Sequence, residues 1–547
     1  MPDDAQDRKD SLDHVRTTSI SGSGEVVGNV DHLRRRLNNR QIQMMAIGGS
    51  IGTGLFVSIS GGLIAGGPGS LLIAFTVYAV FLGMVNSSVA EMCVYLPISG
   101  SFIRFAGKWV DEAFGFMAGW NFFFYQACLI PFEISALNLV LTFWRDDIPV
   151  AAVCAACIAL YALFNVFAVR WYGEAEFWLS SGKFFLIILL SSFTFFTMIG
   201  ANPQHDAFGF RAWHTPGAFR EHITTGALGR FEGFLGSLWT AAFTVVGPEY
   251  LCMVAGEAER PRTYLKQGFK TVYWRFGFFF IGGALCVGII LPSNDPTLNA
   301  NAGASTANAS PYVIAMTNMG IKFLPDLTNA LLVTSIFSAG NAYTFCAMRS
   351  LYGLALEGQA PAFFKKCTRH GIPYWAFLFT MLFPMLSFLS VSSGSAQAVT
   401  WLVNLTEAAQ LMDYLIMCVT YIFFYRALHA QGIDRDTLPY KGWGQPYVAY
   451  TGAVWMAVVL SCYGYSVFVP GRWSLGTFFS YYTMVFVAIV TYTSWKLLKR
   501  TKFVKPLESD LIWEKPIIDA YEASLTSGPD SFWRDLLDKL RLRKKQS

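Results

Sequence analysis

From residue 43 onward the chain is a succession of long apolar runs separated by short polar breaks. Runs such as FFLIILLSSFTFFTMIG, Phe184 to Gly200, are apolar on every side rather than along one stripe. Helices of that kind lie in lipid or inside a protein. At about 20 residues per crossing, the pattern predicts about twelve spans. They fall near 43–66, 69–95, 114–142, 149–169, 178–200 and 230–255, then near 272–291, 324–348, 374–392, 398–425, 448–470 and 473–498. Polar regions flank this membrane domain of 43–498. Residues 1–42, rich in Ser, Asp and Arg, carry no apolar signal region and read as a disordered cytosolic tail. Residues 499–547 form a C-tail ending in SFWRDLLDKLRLRKK, where Phe532, Trp533, Leu536, Leu537 and Leu540 alternate with charge. That stretch suits an anionic lipid surface, trafficking proteins, or a helix folded onto the core.

Composition agrees with the pattern. The 547 residues are 54% hydrophobic and 14% charged, against roughly 25% charged in a globular chain. The net charge of +5 is spread over loops and tails. It forms no basic patch interleaved with aromatics, so no nucleic-acid partner is expected. Lys and Arg also set the orientation. With both tails inside, the inner loops hold fifteen basic residues and the outer loops six. A multi-pass cell-membrane protein with both termini cytosolic is therefore expected, with a glycosylation sequon at Asn308 in an outer loop. The ten cysteines lie mostly in apolar spans. Cys154 and Cys157 have no second ligand pair nearby, so no metal, cofactor or disulfide framework is expected. No nucleophile–base constellation or phosphate loop points to an enzyme.

One stretch inside span one contradicts its surroundings. GGSIGTGLF, Gly48 to Phe56, holds four glycines in nine residues, and each weakens a helix interior by up to about 1 kcal/mol. Packing by small residues at Gly48 and Gly52 is one explanation. An interrupted helix, with freed backbone groups facing a cavity, is the other. Span six favours the second. In FTVVGPEYLCMVAGE, Gly247-Pro248 breaks an apolar run and Glu249 follows at once. Proline removes a donor and clashes with the preceding turn, and an acid at membrane depth is functional by default. Paired breaks in repeated halves mark a transporter binding site.

At these motifs the chain resembles the fungal amino-acid permeases of the yeast amino-acid transporter group, within the amino acid–polyamine–organocation (APC) superfamily. The resemblance runs from about Leu33 to Arg500. It rests on RQIQMMAIGGSIGTGLF (Arg40 to Phe56), GSFIRFAGKWVDEAFGFMAGWNF (Gly100 to Phe122) and NVFAVRWYGEAEFWLSSGKFF (Asn165 to Phe185). It continues through VAGEAERPR (Val254 to Arg262) and SIFSAGNAYTFCAMRSLYGLALEGQAP (Ser335 to Pro361). It implies an all-α integral membrane protein of leucine-transporter-like fold, with five spans, five inverted spans and two more. It also implies proton-driven uptake of amino acids or related amines.

The resemblance assigns roles residue by residue. The substrate carboxylate would meet Gly52, Thr53 and Gly54, and its ammonium the carbonyls of Ser50, Phe243 and Val246, with Thr244 and Gly247 beside them. Phe243 also matches a gating aromatic, or is simply an apolar wall. Lys183 in span five matches the lysine that replaces a sodium ion in proton-coupled relatives; otherwise it snorkels to the inner face. Glu249 is the second candidate for proton coupling. Glu133 either contacts substrate or braces helices. Glu257 and Arg262 are expected as a solvated ion pair at the inner gate. Span ten departs from the family in WLVNLTEAAQLMDYL. There Thr406, Glu407, Gln410 and Asp413 either favour a substrate with an extra positive charge or make structural hydrogen bonds. Two functions fit: a proton symporter of amino acids or amines, including polyamine- or carnitine-type cations, and a nutrient sensor signalling through its tails. The expected partners are substrate, protons, membrane lipid, and trafficking and ubiquitin-ligase adaptor proteins at the tails.

Overall fold

The computed structural model describes residues 35, 37–145, 147–166, 169–300, 310–368, 371–391 and 395–525. The first 34 residues, the Asn308 sequon and the amphipathic stretch at 532–540 lie outside them. Among the described residues the regular structure is helical, with only two isolated β-bridges. We name the main helices α1 (Asn39–Ser50), α2 (Ile59–Tyr95), α3 (Glu112–Leu141), α4 (Val150–Val166), α5 (Val169–Met198), α6 (Gly226–Thr244) and α7 (Pro248–Val254). There follow α8 (Pro261–Arg275), α9 (Gly282–Ile290), α10 (Leu324–Leu356), α11 (Tyr374–Thr380), α12 (Ser395–Ala430), α13 (Tyr447–Cys462), α14 (Leu475–Lys499) and α15 (Lys515–Ser524).

Among the described residues ten helical segments are long and apolar enough to cross a membrane, and α4 is a shorter apolar helix. The segment Gly54–Tyr95 counts twice. Its 42 residues would reach about 63 Å as one rod, twice the hydrocarbon thickness. It turns back at Gly67, whose φ of 79° suits glycine, just before Pro68. Leu71 thereby returns to the side of Gly62. Twelve crossings result.

The boundaries depart from the hydropathy reading where polar groups are paired. Span one begins at Asn39 rather than 43, because Asn38 and Gln41 form a reciprocal cap. Arg40 is buried there, bonded to Glu174 and stacked 4.3 Å over the Phe177 ring. Span seven starts at Pro261, eleven residues early, and passes through a π-turn at Phe276–Ile281 into α9. Span nine leaves α-helical form after Thr380, where Pro384 follows.

Candidate functional site

Span one is interrupted at the predicted place. α1 ends at Ser50, Ile51 is extended (φ −121°, ψ 104°), and the chain re-enters helix through a π-turn at Gly54–Ser58. Span six breaks likewise. α6 ends at Thr244, Val245 is extended, and Pro248 opens α7. Each break leaves two orphaned helix ends with opposite partial charge, and the chain meets each with a matching side chain. At the negative end of α1, Lys183 Nζ donates to the carbonyls of Gly48 at 2.5 Å and Ile51 at 2.6 Å. Arg275 donates to Ala46 O. At the positive end that follows, Glu133 accepts from Thr53 Oγ1 at 2.5 Å and from Thr53 N at 3.4 Å. In span six, Gln410 donates to Ala242 O at 2.7 Å, and Glu249 accepts from Gly247 N and from the Tyr414 hydroxyl.

The glycines of the first break make room rather than bend the chain. None of Gly48, Gly49, Gly52 or Gly54 has a positive φ. A Cβ on Gly48 would stand 1.9 Å from Glu176 Oε1, on Gly49 2.4 Å from the Tyr250 ring, and on Gly52 2.5 Å from Glu133 Oε1. On Gly54 it would press on the Thr244 backbone at 3.3 Å. The four glycines let two carboxylates, one aromatic ring and the backbone of span six touch the span-one backbone.

Between the breaks lies a cavity of about 20 Å³, room for about one water. Seven of the predicted residues line it: Ser50, Gly52, Gly54, Glu133, Phe243, Thr244 and Val246. Thr53 sits beside it, held by Glu133. Gly247, Glu249 and Lys183 stand behind its walls, holding the breaks in shape. Lys183 does not snorkel: it is fully buried. Thr406 and Glu407 are not brought to the cavity. Thr406 bonds back to Val403 O, and Glu407 accepts from Tyr463 on the side facing α13. Asp413 accepts from Asn121 of α3.

Sequence reasoning missed Tyr125, Leu129, Tyr250 and Tyr343 among the lining residues. A signal existed for two of them, since Tyr125, Leu129 and Glu133 are spaced four apart and share one face of α3. It also missed Glu176, a fully buried acid that accepts from Ser338 at 2.5 Å and from Ser180 at 3.1 Å.

The solvated Glu257–Arg262 pair expected at the inner end of span six does not form. Glu257 pairs with Arg349 of α10 at 2.5 Å, both 2% exposed or less. Arg262 turns to α15 and pairs with Asp519 and Glu522. The reason is geometric: α8 begins at Pro261, so Arg262 belongs to a new helix with its own direction. Removing one partner of a buried pair leaves an uncompensated charge, at about 3–5 kcal/mol. Arg349→Leu should therefore reduce folded protein far more than Arg262→Gln. Fluorescence-detected size-exclusion yield checks this, and equal yields would contradict it.

Twelve crossings around a central cavity walled by two interrupted helices make a multi-pass membrane transporter fold. The solved manganese transporter of Eremococcus coleocola shares it, with a TM-score of 0.54 at 11% identity over 88% of this chain and 95% of that one. At the sequence level, residues 41–508 match the amino acid permease family, and the chain belongs to that family. It is 42% identical to the general amino acid permease AGP2 of Saccharomyces cerevisiae, over 95% of this chain and 88% of that protein. It is 36% identical to the proline-specific permease of Emericella nidulans, over 93% and 94%. The lysine/arginine permease CAN1 of Candida albicans is 36% identical, over 88% and 83%.

Proposed function

We propose that this permease imports amino acids or related amines by alternating access, with one proton moving alongside each substrate and the face carrying both tails in the cytosol. The observation carrying this reading is that one backbone break, Gly48 to Thr53, is gripped by a buried lysine on one side and a buried acid on the other. Binding there is coupled to both titratable groups by direct contact. A change in the charge of either shifts the shape of the site.

The wall chemistry favours an ammonium. Tyr125, Tyr250, Tyr343 and Phe243 surround the cavity, Glu133 is its acid, and among the described residues no lysine or arginine lines it. Aromatic faces and a carboxylate both attract a cation. Glu133 also holds the Thr53 N–H group that the family pattern offers to a substrate carboxylate. Amines lacking a carboxylate are thus served as well as amino acids. A competition panel of neutral, acidic and basic amino acids, polyamines and carnitine tests this. Acidic amino acids as the strongest competitors would overturn it.

Selectivity then rests on Glu133 and the aromatic walls rather than on Glu407. Glu407→Gln is expected to change the apparent affinities of neutral and cationic substrates by the same factor, because the side chain faces Tyr463. A loss confined to cationic substrates, by about tenfold or more, would show that Glu407 reads the ligand.

A further inference from the structure

The C-terminal stretch from Val504 to Glu522 crosses the tail face as a strap. It starts at the foot of α3, where Val504 N donates to Val110 O and Trp109 Nε1 donates to Asp510 O. Trp513 lies under the Arg104 guanidinium at 4.5 Å, and Glu514 accepts from Arg104 at 2.7 Å. The same arginine bonds Glu357 at the end of α10. The strap then reaches the opposite group of helices. Tyr95 at the end of α2 donates to Leu511 O. In α15, Asp519 and Glu522 pair with Arg262 at 2.6 and 3.2 Å, and Tyr521 donates to Glu259 O.

These two groups wall the cavity from opposite sides. Tyr125 and Tyr343 come from α3 and α10, and Ser50 and Tyr250 from α1 and α7. A route from the cavity to the tail face must part them. The strap spans that seam outside the buried Glu257–Arg349 pair.

We propose that residues 504–525 are an intramolecular latch that holds the tail-face gate shut, fastened by the pairing of Asp519 and Glu522 with Arg262. The inference rests on the reading that the site opens to that face in turn. The fastening is made to be released. Asp519 is 40% exposed and Glu522 23%, and ion pairs that wet are weak and salt-screened. Partial burial pushes the Asp519 carboxyl up, but hydrogen bonds from Lys515 and Arg262 outweigh this and hold it below its ordinary value. Asp519 therefore stays charged at neutral pH.

Cys346 reports the gate. It is buried on α10, midway between the cavity-lining Tyr343 and the gate residue Arg349. In inside-out vesicles of the full-length protein, a water-soluble maleimide should label Cys346, read by mass spectrometry. The combined Asp519→Asn and Glu522→Gln variant should label about five-fold faster. Raising KCl should speed the native protein and leave that variant unchanged. Arg262→Glu alone should also label fast, and adding Asp519→Lys and Glu522→Lys should return the native rate. Labelling that proceeds equally in every variant overturns the latch and leaves alternating access standing. Absence of Cys346 labelling in all variants and salts overturns both.

Discussion

Replacing Lys183 with alanine is expected to abolish uphill accumulation while substrate exchange across the membrane persists. The ammonium holds the Gly48 and Ile51 carbonyls together at the foot of the break. Without it, the broken segment keeps Glu133 on Thr53 and the cavity walls, so a substrate still binds. What disappears is the link between charge and the shape of span one. For one proton per substrate, a gradient of one pH unit supports about tenfold accumulation. The variant should fall to a ratio of about one. Lys183→Gln keeps a donor for one carbonyl and controls for folding, since orphaned buried carbonyls cost about 1–3 kcal/mol each. Proteoliposomes loaded with substrate measure exchange and accumulation in one preparation. Accumulation that still follows the pH gradient in both variants would make Lys183 a purely structural brace.

Gly52→Val and Gly54→Val are expected to eliminate substrate binding. At Gly52 a Cβ would meet Glu133 Oε1 at 2.5 Å and Ala339 Cβ at 3.0 Å, so the acid must leave Thr53 or the span must move. At Gly54 the Cβ contact is milder, 3.3 Å from Thr244 Cα. There the added methyls fill a cavity of about 20 Å³, and a β-branched residue resists the π-turn. Overpacking of this kind costs about 1–3 kcal/mol, so Gly54→Val should still reach the membrane and separates lost binding from lost folding. Normal uptake by a well-expressed Gly54→Val protein would mean that the substrate does not sit at this break.

Much of this was legible in the chain because membrane depth makes exceptions conspicuous. Four glycines, a Gly-Pro pair and the buried Lys183, Glu133 and Glu249 stand out against an apolar background, and the structure brings the two breaks to one cavity. The partners of Arg262 were not legible. Both Glu257 and Asp519 are acids of suitable charge, and only the new helix beginning at Pro261 decides between them. Glu176 escaped because its GEAEFW context looks like a loop edge, whereas α5 carries it into the interior beneath Gly48. Span ten misled for the same reason. Spacings of three put Glu407, Gln410 and Asp413 on a slowly turning face, and only Gln410 reaches the cavity. A docked strap upstream of the amphipathic stretch left little hydropathy signal, since only Leu511 and Ile518 enter the apolar core and the rest of its hold is made of hydrogen bonds, ion pairs and Trp513.

The most direct measurement is accumulation of a labelled substrate by the purified native protein in proteoliposomes under an imposed pH gradient, acid outside. The substrate is taken from the strongest competitor of the uptake panel. Accumulation above the equilibrium ratio, collapsing when a protonophore is added, is the predicted result. Saturable binding of the same compound with no accumulation at any pH gradient would contradict it, and would make the chain a sensor built on a transporter fold.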